Sequence, residues 1–183
     1  MIALICDTET SGLVQNHVIP LARQPSIIEY FGWTADFNRN ELLDPEPGQQ
    51  ALDLLIKPPK PIDAEITKIT GLTNEMLEAA PPFAAVADLI KMQIEAAPVV
   101  IAHNLSFDKE MIDLEFERLG QKINWPRVIC TVECCNFLKG YRLSLSNLHE
   151  HLFGEPFAGG HRAKNDVAAL TRCCQKLFEM GVL

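Results

Sequence analysis

The chain has 183 residues, of which 48% are hydrophobic and 22% are charged, with a formal net charge of −8. This length suits a single domain, residues 1–183, with a substantial core. The acidic balance disfavours a broad basic surface of the kind that binds duplex DNA. No apolar stretch approaches the roughly 20 residues needed to cross a bilayer, and no signal peptide is recognisable. We therefore expect a cytoplasmic protein without membrane contacts.

The first third of the sequence predicts three strands with no helix between them. The opening stretch is a short apolar run bounded by a turn signal, and the next two segments are β-branched or alternating. The segments are Ile2–Leu13, Ser26–Asp36 and Ala51–Lys57, with loops predicted over Val14–Pro25 and Asn38–Gln50. Strands connected in this way favour an antiparallel meander.

Two carboxylates follow the first apolar run. Because side chains alternate along a strand, Asp7 and Glu9 are predicted to point to the same side. Each carboxylate raises the free energy of ionising the other, and a hard divalent cation such as Mg²⁺ relieves that repulsion. For the pair taken alone, a solvated strand end before the turn at Ser11-Gly12 is the favoured explanation.

From residue 63 onward the pattern predicts helices that alternate with short strands. The predicted helices are Asp63–Leu72, Thr73–Leu77, Phe83–Ala97, Leu105–Leu119, Val132–Leu138, Ser144–Leu152 and Ala163–Met180, and the strands are Pro98–Ala102 and Val128–Thr131. Thr73 and Asn104 are the predicted N-caps of their helices. Strands followed by this alternation predict an α/β fold, a five-stranded mixed sheet flanked by helices.

Two further acidic residues lie in the first turns of predicted helices. Asp108 follows the strand Pro98–Ala102, and Asp166 lies five residues after His161 at the start of the last helix. Acidic side chains complement the helix dipole at this position, so helix stability alone explains either residue taken singly.

The cysteines and the remaining histidines indicate no further site. Two cysteine pairs are adjacent and no Cys-x-x-Cys pair occurs, which favours buried free thiols over a zinc site or disulfides. His149 and His151 diverge on a helix, so we interpret both as surface or packing residues.

Three short motifs occur in a fixed order along the chain. They are Asp7-Thr8-Glu9, Asn104-x-x-Phe107-Asp108 and His161-x-Ala163-x-x-Asp166, with supporting matches at Pro25–Tyr30, Ile69–Leu77 and Phe153–Leu170. In these motifs the sequence resembles the DEDD superfamily of 3′–5′ exonucleases, in the subgroup with a histidine in the third motif (DEDDh). The resemblance covers nearly the whole chain and is strongest to the proofreading epsilon subunits of bacterial DNA polymerase III.

The resemblance implies a ribonuclease H-like fold and two bound Mg²⁺ or Mn²⁺ ions. Asp7 would bridge both ions, Glu9 and Asp166 would complete the first site, and Asp108 would serve the second. His161 would be the general base, a role that suits a side chain whose ordinary pKa is about 6.5. The reaction would be an in-line displacement that releases nucleoside 5′-monophosphates from a 3′ end.

Five residues are candidates for substrate binding by the same resemblance, namely Thr10, Leu13, His103, Asn104 and Phe107. The last three have structural alternatives: a hydrogen bond within the fold for His103, a helix cap for Asn104 and core packing for Phe107.

The implied partners are nucleic acid 3′ ends, with single-stranded DNA favoured over RNA, and a DNA polymerase is a further candidate partner. An exoribonuclease that trims RNA 3′ ends, similar to ribonuclease T, is the alternative enzyme. A non-catalytic module that binds nucleic acid or a polymerase is the alternative outside enzymes.

Overall fold

The computed structural model describes residues 1–15, 18–39 and 51–183. The predicted loop Asn38–Gln50 lies outside the described residues from position 40 onward, as do positions 16 and 17 of the predicted loop Val14–Pro25. The strands are β1 (Ile2–Thr10), β2 (Ile27–Asp36), β3 (Leu52–Leu55), β4 (Val99–Ala102) and β5 (Arg127–Cys130). The helices are α1 (Ala64–Thr70), α2 (Asn74–Glu78), α3 (Phe83–Ala96), α4 (Leu105–Arg118), α5 (Thr131–Cys134), α6 (Asn136–Lys139), α7 (Leu145–Phe153) and α8 (Ala163–Glu179).

One five-stranded sheet has the order β3-β2-β1-β4-β5. β2 pairs antiparallel with both β1 and β3, so the predicted meander is confirmed. β4 and β5 run parallel to β1, and α4 follows β4 directly. The carboxyl ends of these three parallel strands therefore meet at one edge of the sheet, which is where β1 carries its acidic residues.

Each face of the sheet supports a separate hydrophobic core. Leu4 and Cys6 of β1 pack on one face among residues of α3 and α4. Ala3 and Ile5 pack on the other face among residues of α8. Even-numbered residues of β1 thus face α4, and odd-numbered residues face α8. This alternation decides which helix each polar residue at the end of β1 meets.

The sequence located all five strands and the longer helices within a few residues of their observed ends. Thr73 caps α2 by accepting a hydrogen bond from the Met76 amide. The predicted helix Val132–Leu138 is instead two short helices, α5 and α6, because the backbone leaves helical geometry at Cys135. All six cysteines are free, and all but Cys134 are buried, as predicted.

Asn104 does not cap α4 with its side chain, which corrects the prediction. Its backbone is left-handed, with φ of 64°, and its side chain makes no capping hydrogen bond. The left-handed backbone differs from the extended conformation of an ordinary N-cap residue. Among the described residues, no helix is long and apolar enough to cross a membrane.

Candidate active site

Three carboxylates converge at the carboxyl end of β1. Asp7 and Glu9 lie on the α8 face of β1, and Asp166 lies in the first turn of α8. One carboxylate oxygen from each residue lies within 4.8 Å of the other two, and all three side chains are half-buried. The prediction that Asp7 and Glu9 share one side of the strand is therefore confirmed. Such an all-oxygen group suits a hard divalent cation.

Asp108 lies on the opposite face of the same strand end. It is 3% exposed, and its Oδ1 accepts hydrogen bonds from the Thr8 amide at 3.0 Å and the Thr8 hydroxyl at 2.7 Å. Thr8 is even-numbered and faces α4, whose first turn carries Asp108. The residue between the two motif acids thus fixes the carboxylate of the second motif, a role that the sequence alone did not indicate.

Burial and mutual repulsion perturb the ionisation of all four acids. Burial, followed by the charges of Asp108 and Asp166, raises the pKa of Asp7 well above its ordinary range. Burial, Asp166 and Glu29 raise the pKa of Glu9 to about 8. Burial raises the pKa of Asp108 to about 7 even though the Thr8 hydrogen bonds lower it. Burial also raises the pKa of Asp166. Glu9 and Asp108 thus retain protons near neutral pH that a divalent cation would displace.

A buried ion pair fixes the start of α8 against β2. Glu29 is 1% exposed and lies directly across from Glu9 in the antiparallel pair. Its carboxylate accepts hydrogen bonds from Arg162 Nε at 3.1 Å and Nη2 at 2.7 Å, and from the Ala163 amide at 2.9 Å. Sequence reasoning missed this contact, although a glutamate within an apolar strand is itself a signal, because a buried charge needs a partner.

His161 lies immediately before this ion pair, in the segment that leads into α8. Its side chain is exposed, and its backbone is left-handed with φ of 64°. Its amide donates to Asp166 Oδ2 at 2.8 Å. Among the described residues, Asn104 and His161 are the non-glycine residues with positive φ. Both belong to the sequence motifs, and strained backbone of this kind concentrates at functional sites.

His149 of α7 fixes the other end of the segment that carries His161. Its ring lies 5.6 Å from that of Phe157, between centroids, and its Nδ1 lies 2.8 Å from the Glu155 carbonyl oxygen. Since a carbonyl can only accept, Nδ1 carries the proton. The prediction that His149 is a packing residue is confirmed, because it is 1% exposed. Its link to the third motif was not predicted.

A cleft of about 680 Å³ opens beside Glu9. Thr10, Leu13 and Phe107, three of the predicted substrate-binding residues, line it together with Ile66 and Ile69. Leu13 is 78% exposed, so its side chain is open to contact at the border of the cleft. Phe107 lines the cleft and also packs against the core, so its core-packing interpretation is confirmed and its contact with substrate stays a prediction.

His103 and Asn104 make hydrogen bonds within the fold. The two ring nitrogens of His103 lie 2.9 Å from the Thr131 hydroxyl and 3.0 Å from the Leu143 carbonyl oxygen. Burial lowers the pKa of His103 to about 4, so the ring is neutral at neutral pH. Asn104 Oδ1 accepts a hydrogen bond from Arg142 at 2.7 Å. His103 thus makes the hydrogen bonds within the fold that were the predicted alternative to a phosphate contact.

A carboxylate cluster at the edge of a mixed sheet, with helices on both faces, is an architecture suited to metal-dependent phosphodiester hydrolysis. The chain belongs to the exonuclease family RNase_T, whose sequence model matches residues 4–173. Dependence on a divalent metal is general for this family.

Two relatives illustrate the similarity in sequence. The 3′-5′ exonuclease DinG of Staphylococcus epidermidis is 32% identical over 145 residues, which cover 77% of this chain and 15% of that protein. The DNA polymerase III subunit epsilon of Pasteurella multocida is 33% identical over 103 residues, which cover 54% of this chain and 40% of that protein. The chain thus spans well under half the length of either relative.

Solved structures share the fold at lower sequence identity. The nuclease domain of 3′hExo, described as a DEDDh family member bound to rAMP, has a TM-score of 0.76 at 15% identity, covering 98% of this chain and 92% of that one. Exonuclease X in complex with 5′ overhanging duplex DNA has a TM-score of 0.67 at 20% identity, covering 98% and 93%. The predicted ribonuclease H-like fold is confirmed by these likenesses.

The shifted pKa values predict how stability depends on pH. Glu9 has a pKa of about 8 in the folded protein against an ordinary 4.5, so between these values the folded state holds a proton that the unfolded chain has released. The free energy of unfolding of the metal-free protein therefore falls as pH rises across this range. His103 acts oppositely, since its pKa of about 4 against 6.5 makes stability rise with pH, but only up to about pH 6.5.

Thermal melting in a chelator between pH 6.5 and 8 isolates the carboxylate contribution. We expect Tm to fall across this window by the equivalent of about 1 kcal/mol, the order expected for a shift of this size after solvent screening. Glu9→Gln should reduce the fall, because Asp7 and Asp108 still contribute to it, whereas Glu117→Gln, exposed on α4, should retain it in full. Excess Mg²⁺ should restore Tm. A wild-type Tm that stays level or rises here would contradict the assigned shifts.

His149 predicts the local stability of the segment before α8. In His149→Ala the Glu155 carbonyl loses its donor and Phe157 loses a ring contact, so amide hydrogen exchange over residues 155–161 should accelerate about 5- to 30-fold. His149→Phe retains the ring and should give a smaller increase. His151→Ala, an exposed change on the same helix, is the matched control. Equal exchange in all variants, measured by mass spectrometry, would show that His149 does not hold this segment.

Proposed function

We propose that the chain, residues 1–183 acting as one domain, is a 3′–5′ exonuclease that releases nucleoside 5′-monophosphates from single-stranded or frayed DNA ends. The observation that carries the proposal is the convergence of Asp7, Glu9 and Asp166 within 4.8 Å, beside a cleft that is open to solvent. Membership of the exonuclease family supports the same reaction class.

The residues present fit two divalent ions, with Mg²⁺ or Mn²⁺ as the proposed species. Asp7 would be shared, Glu9 and Asp166 would hold one ion, and Asp108 would hold the other. The grouping of the first three residues, with Asp108 on the other face, supports this division. When bound, the ions supply Lewis-acid stabilisation of the negative charge that develops during phosphodiester hydrolysis. Thr8 keeps the Asp108 carboxylate oriented through its two hydrogen bonds.

His161 is the proposed general base, accepting a proton from the attacking water at a ring nitrogen. Two observations support this role: its amide donates a hydrogen bond to Asp166 of the carboxylate cluster, and its side chain is exposed and so accessible to a water molecule. The Glu29–Arg162 ion pair fixes the backbone at the next residue and so orients the histidine.

The cleft beside Glu9 is the proposed site of the terminal nucleotide. Thr10, Leu13 and Phe107 line it, and exposed apolar side chains suit contact with the face of an unpaired base. An acidic chain with a net charge of −8 suits contact with the last nucleotides of a strand more than with a long duplex. Frayed ends should therefore be cut faster than blunt paired ends, because unpairing costs free energy.

DNA is the proposed substrate because relatives named DNA polymerase III subunit epsilon share about a third of the aligned residues with this chain. The same relatives make a DNA polymerase the proposed protein partner. RNA 3′-end trimming is the alternative that the assay below separates.

The test of the proposal is the stepwise shortening of 5′-labelled single strands, which reports loss of mononucleotides from the 3′ end. It is measured after exhaustive chelation and after addition of Mg²⁺ or Mn²⁺. We expect activity only with metal. Asp7→Asn should reduce the rate more than about 100-fold, since losing even an outer partner of a metal ligand ordinarily costs 10- to 100-fold. Asp88→Asn, exposed on α3, is the matched control.

Matched DNA and RNA strands, single-stranded and blunt-ended, complete this assay. Faster cleavage of single-stranded DNA supports the proposed substrate, and a preference for RNA would move the assignment to the exoribonuclease. Full activity without metal would overturn the two-ion site. Absence of hydrolysis under every condition would leave a binding module.

Replacing His161 should reduce turnover without weakening metal binding. His161→Ala and His161→Asn should each reduce kcat by about 10²–10⁴-fold, the usual contribution of a positioned base. Metal-induced stabilisation should persist in both variants, because the carboxylates bind the ions. Comparing kcat with the Mg²⁺-dependent rise in Tm measures both effects. Near-normal turnover in His161→Asn would make this residue a positioning group and place the base elsewhere.

A further inference from the structure

The segment around α6 exposes two aromatic rings and two cations within six residues. Phe137 is 64% exposed and Tyr141 is 57% exposed, and Lys139 and Arg142 between and beside them are also exposed. We name these four residues the α6 surface. Single exposed aromatic residues are common, but two interleaved with cations form the pattern of surfaces that bind single-stranded nucleic acid.

Hydrogen bonds fix the α6 surface beside the candidate active site. Arg142 Nη2 donates to Asn104 Oδ1 at 2.7 Å, and the next residue, Leu143, accepts from His103 Nε2 at 3.0 Å. Asn104 immediately precedes α4, whose first turn carries Asp108 and Phe107. The second motif thus supplies both an acid of the candidate active site, Asp108, and Asn104, which accepts the hydrogen bond from the α6 surface.

The charge of the α6 surface is opposite to that of the chain as a whole. The chain has 24 acidic and 16 basic residues, yet neither Lys139 nor Arg142 forms an ion pair with another described residue. The positive charge of Arg142 acts on its surroundings. Together with burial, which has the larger effect, it lowers the pKa of His103. Unpaired cations beside exposed rings complement a ligand with phosphates and accessible base faces.

We infer that the α6 surface binds the nucleotides on the 5′ side of the cleaved linkage, with bases stacked on Phe137 and Tyr141 and phosphates near Lys139 and Arg142. The inference rests on the proposed function, in which the terminal nucleotide occupies the cleft beside Glu9. Because only the last nucleotides fit that cleft, the rest of the strand would leave it past Phe107 and Asn104, towards Arg142 of the α6 surface. The exonuclease then grips single strands through a local patch and needs no broad basic face.

The experiment compares KM for a dinucleotide with KM for a 12-nucleotide strand at the same Mg²⁺ concentration. Wild-type protein should show a lower KM for the longer strand, since only that strand reaches the α6 surface. In Phe137→Ala and Tyr141→Ala the KM for the longer strand should rise about 5- to 100-fold, the range for losing one base stack. In Lys139→Ala the slope of log affinity against log salt should become shallower by about 0.7, the value for one phosphate contact on a single strand.

Met92→Ala and Lys122→Ala are the matched controls. Met92 is an exposed apolar residue on α3, and Lys122 is an exposed cation between α4 and β5. Both should retain the wild-type advantage of the longer strand. Equal KM values for the two lengths in wild-type protein, or an unchanged advantage in all α6 variants, would overturn the inference while leaving the exonuclease intact. A wild-type protein that cleaves neither substrate would instead remove the proposed function itself.

Discussion

The alternation of side chains along β1 is the constraint on which the rest of the site depends. It sends Asp7 and Glu9 towards α8 and Thr8 towards α4, so one short strand end addresses both layers of helices. Asp166 then joins the first pair, while Asp108 is held from the other face through Thr8. A slip of one residue in this strand would exchange the two groups and bury the acids against the wrong helix.

The fold reduces the electrostatic repulsion between the clustered carboxylates in two ways. On the α4 side, hydrogen bonds from Thr8 favour the ionised form of Asp108. On the α8 side, Glu29 adds a repulsive charge next to Glu9, which Arg162 offsets in part, because it pairs with the Glu29 carboxylate and lowers the pKa of Glu9. The repulsion that remains raises the pKa values of these acids. A bound cation would favour their ionised forms and remove this repulsion.

Local sequence patterns predict the strands, the longer helices and the positions of the motif acids. They do not predict contacts between residues that are distant in the sequence. Strand periodicity located β1, and the spacing of Asp108 and Asp166 from their helix starts placed both acids correctly in first turns. Glu29 with Arg162 and His149 with Glu155 connect residues whose partners depend on how helices pack on the sheet. Asn104 was assigned a cap from its residue type, but its left-handed backbone turns the side chain to Arg142.

The left-handed backbone at His161 has a consequence for which residues evolution and mutagenesis can sample there. Glycine adopts φ of about 64° without strain, and asparagine and aspartate tolerate it, whereas β-branched side chains do not. A saturation library at this position should thus yield well-folded proteins with only a narrow, chemically uneven set of side chains. Histidine belongs, with asparagine and aspartate, to the few side chains that occur most often in this conformation, so the backbone at this position already restricts the choice to a set that includes an imidazole.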